Sequence, residues 1–140
     1  PVGDITIAFD GGSVVSLDWG WARDQAVDDL LLKAKTQLDD YFDGGSRAFD
    51  LPLQPAGTEF QRRVWSLMQE IPYGGTMTYG EMSDRLNSSA RAVGMACGAN
   101  PIPLIIPCHR VLAANGMGGY SGDGGVETKV ALLRLEGVLL

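Results

Sequence analysis

Cysteine and histidine are scarce. The 140 residues hold two cysteines, Cys97 and Cys108, and one histidine, His109. Secreted disulfide scaffolds usually carry more cysteine, so a reduced setting is expected, cytoplasmic or, in a prokaryote, nucleoid-associated. Two Cys and one His with no CxxC spacing do not make a tetrahedral zinc site, and no metal or other cofactor is expected. No apolar run is long enough for a transmembrane helix, so no membrane partner is expected either. Pro1-Val2-Gly3-Asp4 lacks the basic-then-apolar order of a signal peptide, and Pro1 in place of Met points to a trimmed start. Positive charge is also sparse, with 11 Lys and Arg against 17 Asp and Glu and a net charge of −6. That balance argues against nucleic acid at first sight, because phosphate contact normally comes with a basic footprint. The acidic excess is local, however. Residues 1–57 hold ten acidic and four basic side chains, whereas residues 58–140 hold seven of each. DNA therefore stays open as a partner of the second part, with weak, salt-sensitive binding expected.

The chain that is present divides into three. Residues 4–9 and 14–19 alternate as two strands around the turn signal Asp10-Gly11-Gly12. From Gln25 to Phe42 the apolar positions, Val27, Leu30, Leu31, Ala34, Leu38, Tyr41 and Phe42, follow helical spacing, with Asp24 as a plausible N-cap and Gly44-Gly45 as the stop. This gives an N-terminal α/β unit over 1–50 and a Pro- and Gly-bearing linker over 51–57. Residues 58–140 then change to short helices. Thr58-Glu59-Phe60-Gln61 and Thr78-Tyr79-Gly80-Glu81 fit capping boxes, each opening a helix. Asn87-Ser88-Ser89 reads as a turn and cap before a helix over Ala90–Ala99, so the last two helices outline a helix-turn-helix. That outline is common to many helical domains.

The chemistry lies in Asn100-Pro101-Ile102-Pro103-Leu104-Ile105-Ile106-Pro107-Cys108-His109-Arg110-Val111. Two prolines around Ile102 predict an extended path. A free cysteine is usually a small buried hydrophobe. Here a histidine and an arginine follow it, the surroundings that turn a thiol into a thiolate nucleophile. The alternative for His109 is a satisfied core histidine. A Cys-His relay needs an acid to orient the imidazole. Val126 to Glu136 reads as a helix stopped by Gly137, which puts Glu136 at the negative end of the helix dipole, unfavourable by ~0.3–1 kcal/mol unless something compensates. Protonated His109 is one candidate, and an exposed, solvated Glu136 is the alternative.

Pro107-Cys108-His109-Arg110-Val111 after Asn100-Pro101-Ile102-Pro103 resembles the active-site signature of the O6-alkylguanine-DNA alkyltransferases. The resemblance runs from about Ala56 to Gly137 and includes Phe60 to Trp65, Ile71-Pro72-Tyr73-Gly74, Thr78 to Glu81, Ala90 to Gly94 and Gly119 to Gly122 in order. It implies an α+β fold: a small, truncated RNase H-like strand/helix domain, then a mostly helical, winged helix-turn-helix-like alkyltransferase domain. It implies a suicidal, single-turnover methyltransferase of DNA repair that flips O6-alkylguanine out of double-stranded DNA and transfers the alkyl group to Cys108, with O4-alkylthymine a second candidate lesion. The expected molecule is a monomer. By the same resemblance His109 is the base acting through a water, Glu136 orients it and Asn100 braces the turn. Arg91 is the finger that fills the vacated stack, Tyr79 presses on the neighbouring phosphate, and Tyr120 donates to the departing guanine. The carbonyls of Cys108 and Val111 read the guanine amine, and the Ser121 backbone faces O6. Ser89, Ala90 and Gly94 contact DNA, and Met95, Cys97 and Pro101 lie by the recognition helix and pocket wall. Arg110 is expected in a structural ion pair, and residues 1–50 in a structural role. Against the family pattern the gap from Cys108 to Tyr120 is short and that from Ser121 to Glu136 long, which leaves the accepted alkyl size open.

Three rivals remain. A non-catalytic lesion binder of the alkyltransferase-like kind lacks the cysteine that this chain has. A cysteine hydrolase built on Cys108, His109 and Glu136 needs an oxyanion hole that nothing here supplies. A transcriptional helix-turn-helix module is usually basic and dimeric, and this chain is acidic.

Overall fold

In the computed structural model the described residues are 5–10, 13–19, 29–45, 48–114, 116–120 and 125–138. Strands β1 (Ile5–Asp10) and β2 (Ser13–Trp19) pair antiparallel, Ile5 opposite Trp19 and Ile7 opposite Leu17, with a register shift between Ala8 and Phe9. The Gly11-Gly12 turn and the Asp24 cap lie outside the described residues. Helix α1 (Asp29–Phe42) buries Ala34, Leu38 and Tyr41, spaced four and three apart on one face. It ends where Gly44 takes φ +80°, a left-handed conformation that glycine adopts without a Cβ clash.

The segment after α1 does not hang free. Val14 N–H donates to the Pro52 carbonyl and Gln54 N–H to that of Val14, both at 2.7 Å, so 52–54 runs along β2. Helix α2 (Glu59–Gln69) opens with the expected capping box, Thr58 with Gln61, and buries Val64, Trp65, Leu67 and Met68. A Cβ added at Gly57 would stand 2.5 Å from the Trp65 ring, which is 1% exposed and has nowhere to retreat. Gly57→Ala is therefore expected to cost about 1–3 kcal/mol by overpacking, read from denaturant unfolding.

A two-residue strand, β3 (Met77–Thr78), leads into α3 (Tyr79–Leu86), whose capping box is Thr78 with Glu81. Asn87 at φ +54° turns the chain, and Ser89 caps α4 (Ala90–Gly98) by accepting from Ala92 N–H at 3.1 Å. Helices α3 and α4 are the two arms of the helix-turn-helix. Strand β4 (Val111–Leu112) pairs parallel with β3, and α5 (Gly125–Leu135) closes the chain. One core joins the two halves: Val14, Leu17, Leu38 and Tyr41 share it with Trp65, Met68, Ile102, Ile106 and Leu132. A backbone bond from Leu17 N–H to the Pro101 carbonyl, 2.8 Å, seals that join beside the Cys-His-Arg segment.

Candidate active site

The extended path predicted around Ile102 is not what residues 100–107 adopt. The segment is a compact turn closed by Ile106 N–H on the Ile102 carbonyl, 2.9 Å. Asn100 overrides the prolines. Its amide donates to the Ile106 carbonyl at 2.8 Å, and its side-chain oxygen accepts from Ile102 N–H at 2.9 Å. Leu104 sits at φ +71°, a conformation costing a non-glycine residue on the order of 1–2 kcal/mol, and complete burial of its side chain holds it there. The turn delivers Cys108, His109 and Arg110 as a single 3-10 turn.

Cys108 faces a cleft of about 610 Å³ lined also by Tyr79, Ala90, Arg91, Gly94, Cys97, Gly98, Gly119 and Tyr120. Eight positions spread from 79 to 120 thus converge on the sulfur, six of them predicted site residues. A second hollow of about 440 Å³, between Arg62, Arg63 and Arg85, contains neither Cys nor His. No atom of the described residues comes within 4 Å of a Cβ built on Gly94 or Gly98, so that side of α4 is open to a close neighbour. Arg91 and Met95 stand exposed on the same helix, Met95 at 71%. The Ser89 hydroxyl is occupied as a cap. Pro101 and Val111 are not among the cleft-lining residues, and Ser121 lies outside the described residues.

Behind Cys108 lies a buried polar cluster. Glu136 Oε2 accepts from His109 Nε2 at 2.6 Å, from Tyr41 Oη at 2.5 Å and from Arg110 Nη2 at 3.0 Å, while Oε1 accepts from Arg110 Nε at 2.8 Å. Arg110 Nη1 donates to the Ile71 carbonyl, 2.8 Å. The expected ion pair of Arg110 is present, and its partner is the glutamate itself. Arg110 and Tyr41 compensate Glu136 without a charged histidine. Burial pushes the Glu136 carboxyl up, but donors from His109, Arg110 and Tyr41 together outweigh it and hold the group at about 2. Burial likewise holds His109 below its ordinary value, against the pull of Glu136, so at neutral pH the ring is neutral. Accepting from Nε2 fixes the proton there and leaves the lone pair on Nδ1, a buried nitrogen with no partner among the described residues.

The sulfur departs from expectation. Its thiol is pushed up by burial, only partly offset by Asn100 and Lys129, so it rests protonated rather than as a thiolate. Arg110 was expected to favour the thiolate, but Glu136 neutralises its charge. Cys97, pushed up to about 12 by burial, donates to the Met68 sulfur at 3.7 Å and makes a poor second nucleophile.

Three further residues were not singled out as site residues. Lys129 is fully buried, its ammonium donating to the carbonyls of Val111 at 2.6 Å and of Gly119, which lines the cleft, at 3.0 Å. Its spacing could have revealed it: 129, 132, 133 and 136 share one face of α5, so a lysine stood on the apolar stripe. Tyr41 reaches Glu136 from 95 positions away, and no local pattern signals that. Trp19 on β2 meets the Tyr120 ring edge-on at 6.5 Å and backs the cleft wall.

Residues 59–138 match the family described as 6-O-methylguanine DNA methyltransferase, DNA binding domain, and residues 1–55 match its ribonuclease-like domain. The chain belongs to the 6-O-methylguanine DNA methyltransferase family. The methylated-DNA–protein-cysteine methyltransferase of Methanosarcina acetivorans is 40% identical across 98% of this chain and 94% of its own length. That of Mycobacterium tuberculosis H37Rv is 41% identical across 97% and 87%. The crystal structure of M. tuberculosis OGT in complex with DNA superposes with a TM-score of 0.84 at 41% identity, covering 96% of this chain and 87% of that one. S. pombe Atl1, in complex with damaged DNA containing O6-carboxymethylguanine, aligns at a TM-score of 0.51 and 30% identity over 59% of this chain. The α+β architecture, with a strand-bearing N-terminal part and a helical C-terminal part, is that of the family.

Proposed function

We propose that this protein reverses DNA alkylation by moving the alkyl group of O6-alkylguanine in double-stranded DNA onto Cys108, once per molecule. The observation that carries this is a nucleophile at a base-sized cleft beneath a helix-turn-helix, backed by a neutral histidine with one nitrogen tied to Glu136 and the other free to take a proton. Cys108 Sγ attacks the alkyl carbon as the carbon–O6 bond breaks. The thiol proton passes through a water to His109 Nδ1, and Glu136 stabilises the imidazolium that forms. The electron pair leaves on guanine, which accepts a hydrogen bond from the Tyr120 hydroxyl and takes its proton from solvent. The Tyr120 hydroxyl is buried without a partner among the described residues, and burial keeps its proton on, as a donor requires. The resulting thioether has no leaving route, which limits each molecule to one turnover.

The target carbon is out of reach in a stacked duplex, so the base must be extruded at a cost of a few kcal/mol. Arg91, exposed beside the cleft, enters the gap. Tyr79, at the start of α3, bears on the phosphate next to the flipped base, and the open side of α4 at Gly94 lets the minor groove approach. The protein acts as a monomer.

Mixing the protein with an oligonucleotide carrying O6-methylguanine tests the reading: the added methyl should map to Cys108 by mass spectrometry. A methyl found elsewhere, or none, overturns it. Arg91→Ala should slow repair in duplex at least about tenfold more than reaction with free O6-benzylguanine, since only the duplex pays for unstacking. Equal slowing of both would remove the finger.

A further inference from the structure

We propose that Tyr41, carried in from the N-terminal helix α1, is a positioning residue of the transfer reaction: its phenol sets how strongly Glu136 holds the His109 Nε2–H. This deepens the role given to His109 and rests on it. The geometry is specific. Tyr41 is 1% exposed, and its Oη donates to Oε2, the same oxygen that His109 uses, at 2.5 Å against 2.6 Å. Phe42, Phe49 and Tyr73 surround the ring with centroids at 5.3, 5.4 and 6.1 Å, so the phenol has little freedom to turn elsewhere. Burial and the carboxylate both keep the phenol protonated, so it acts only as a donor.

A carboxylate oxygen shared among donors gives each a weaker bond than it would give one alone. Three groups draw on Oε2: Tyr41 from α1, His109 and Arg110 from the 3-10 turn. The other polar groups near the relay are Tyr73, whose hydroxyl donates to the Leu135 carbonyl and whose ring lies 5.9 Å from the Arg110 guanidinium, Lys129 from α5, and Cys108. Of these, only Tyr41 comes from the N-terminal part of the chain. It is also the one donor besides the base itself that can be removed without changing a charge or leaving a buried cation unpaired. Losing it returns electron density to Oε2, strengthens the pull on Nε2–H and makes the imidazolium easier to form. The base would then be occupied by a proton over a wider pH range. The N-terminal part thus tunes the base, beyond the structural role expected of it.

His109 is the sole histidine, so its ring is the only imidazole signal in the tag-free chain. Histidine-selective nitrogen NMR of this chain reads its tautomer and titration midpoint directly, whether or not the protein transfers alkyl groups. Tyr41→Phe keeps the ring and should raise the midpoint by about half a pH unit or more. The rate with free O6-benzylguanine should fall several-fold more at mildly acidic than at mildly alkaline pH. Should the Phe variant fold poorly, 3,5-difluorotyrosine at position 41, a stronger donor of nearly the same shape, should lower the midpoint. A midpoint unmoved in both variants overturns the proposal, as does a rate loss equal at every pH, which is what a purely structural tyrosine would give. Failure of methyl transfer in the unaltered protein would instead sink the functional reading and leave the titration result standing.

Discussion

Cys108→Ser is expected to abolish alkyl transfer while leaving the lesion-binding surface in place. The change trims little volume and adds no charge, so the turn held by Asn100 should survive it. What goes is the acidity and polarisability of sulfur. The Cys108 thiol is already raised by burial, and His109 is a weak base because burial disfavours its charged form. That pair can still exchange a proton when the alkyl carbon is presented. A serine hydroxyl is harder to deprotonate by several further units, and a neutral imidazole cannot bridge the gap. The expected loss is roughly a thousand-fold or more, beyond detection in a single-turnover assay. Mass spectrometry of the protein after incubation with O6-methylguanine duplex reads transfer, and a gel shift on the same mixture reads binding. Methyl transfer persisting in the serine variant would mean another residue is the acceptor.

The second large effect is expected at Glu136. Glu136→Gln keeps the shape but removes the only carboxylate that the buried Arg110 and His109 share. Breaking one side of a buried ion pair costs about 3–5 kcal/mol, because the stranded charge pays for its burial unaided. Activity should fall with stability, since the imidazolium formed during transfer loses its counter-ion. The pH dependence of the unaltered protein follows from the same group. A carboxyl at about 2 when folded and near 4.5 when unfolded stabilises the fold fully above the upper value. That contribution is lost as pH falls through the window towards 2. His109 adds to the trend, because the unfolded chain takes up its proton first as pH drops below 6.5. Urea unfolding followed from neutral to acid pH should therefore show a steep loss in the unaltered protein and a shallower one in the Gln variant. Parallel pH curves would place the stabilising carboxylate elsewhere.

Helix starts were legible because they are local. Thr58 with Gln61 and Thr78 with Glu81 each satisfy donors within one turn, and the observed caps use those pairs. Local reasoning failed at residues 100–107 for the opposite reason. Proline restricts φ but does not fix the direction of the chain, and two bonds from the Asn100 side chain decided it. It failed again over charge. Arg110 stands next to His109 in sequence and near Cys108, yet its guanidinium points at Glu136 and lends the sulfur nothing. Lys129, on another helix, is the buried cation whose charge favours the thiolate.

The sequence by itself determined the helix-turn-helix, the family and the candidates for nucleophile, base and acid, because caps, turn residues and an ordered set of motifs are written in consecutive letters. Tertiary structure alone decided the protonation states and the company these groups keep. Acidity in a buried cluster depends on which donors and charges lie within a few ångströms, and Tyr41, Trp19 and Lys129 reach the site from elements far apart along the chain.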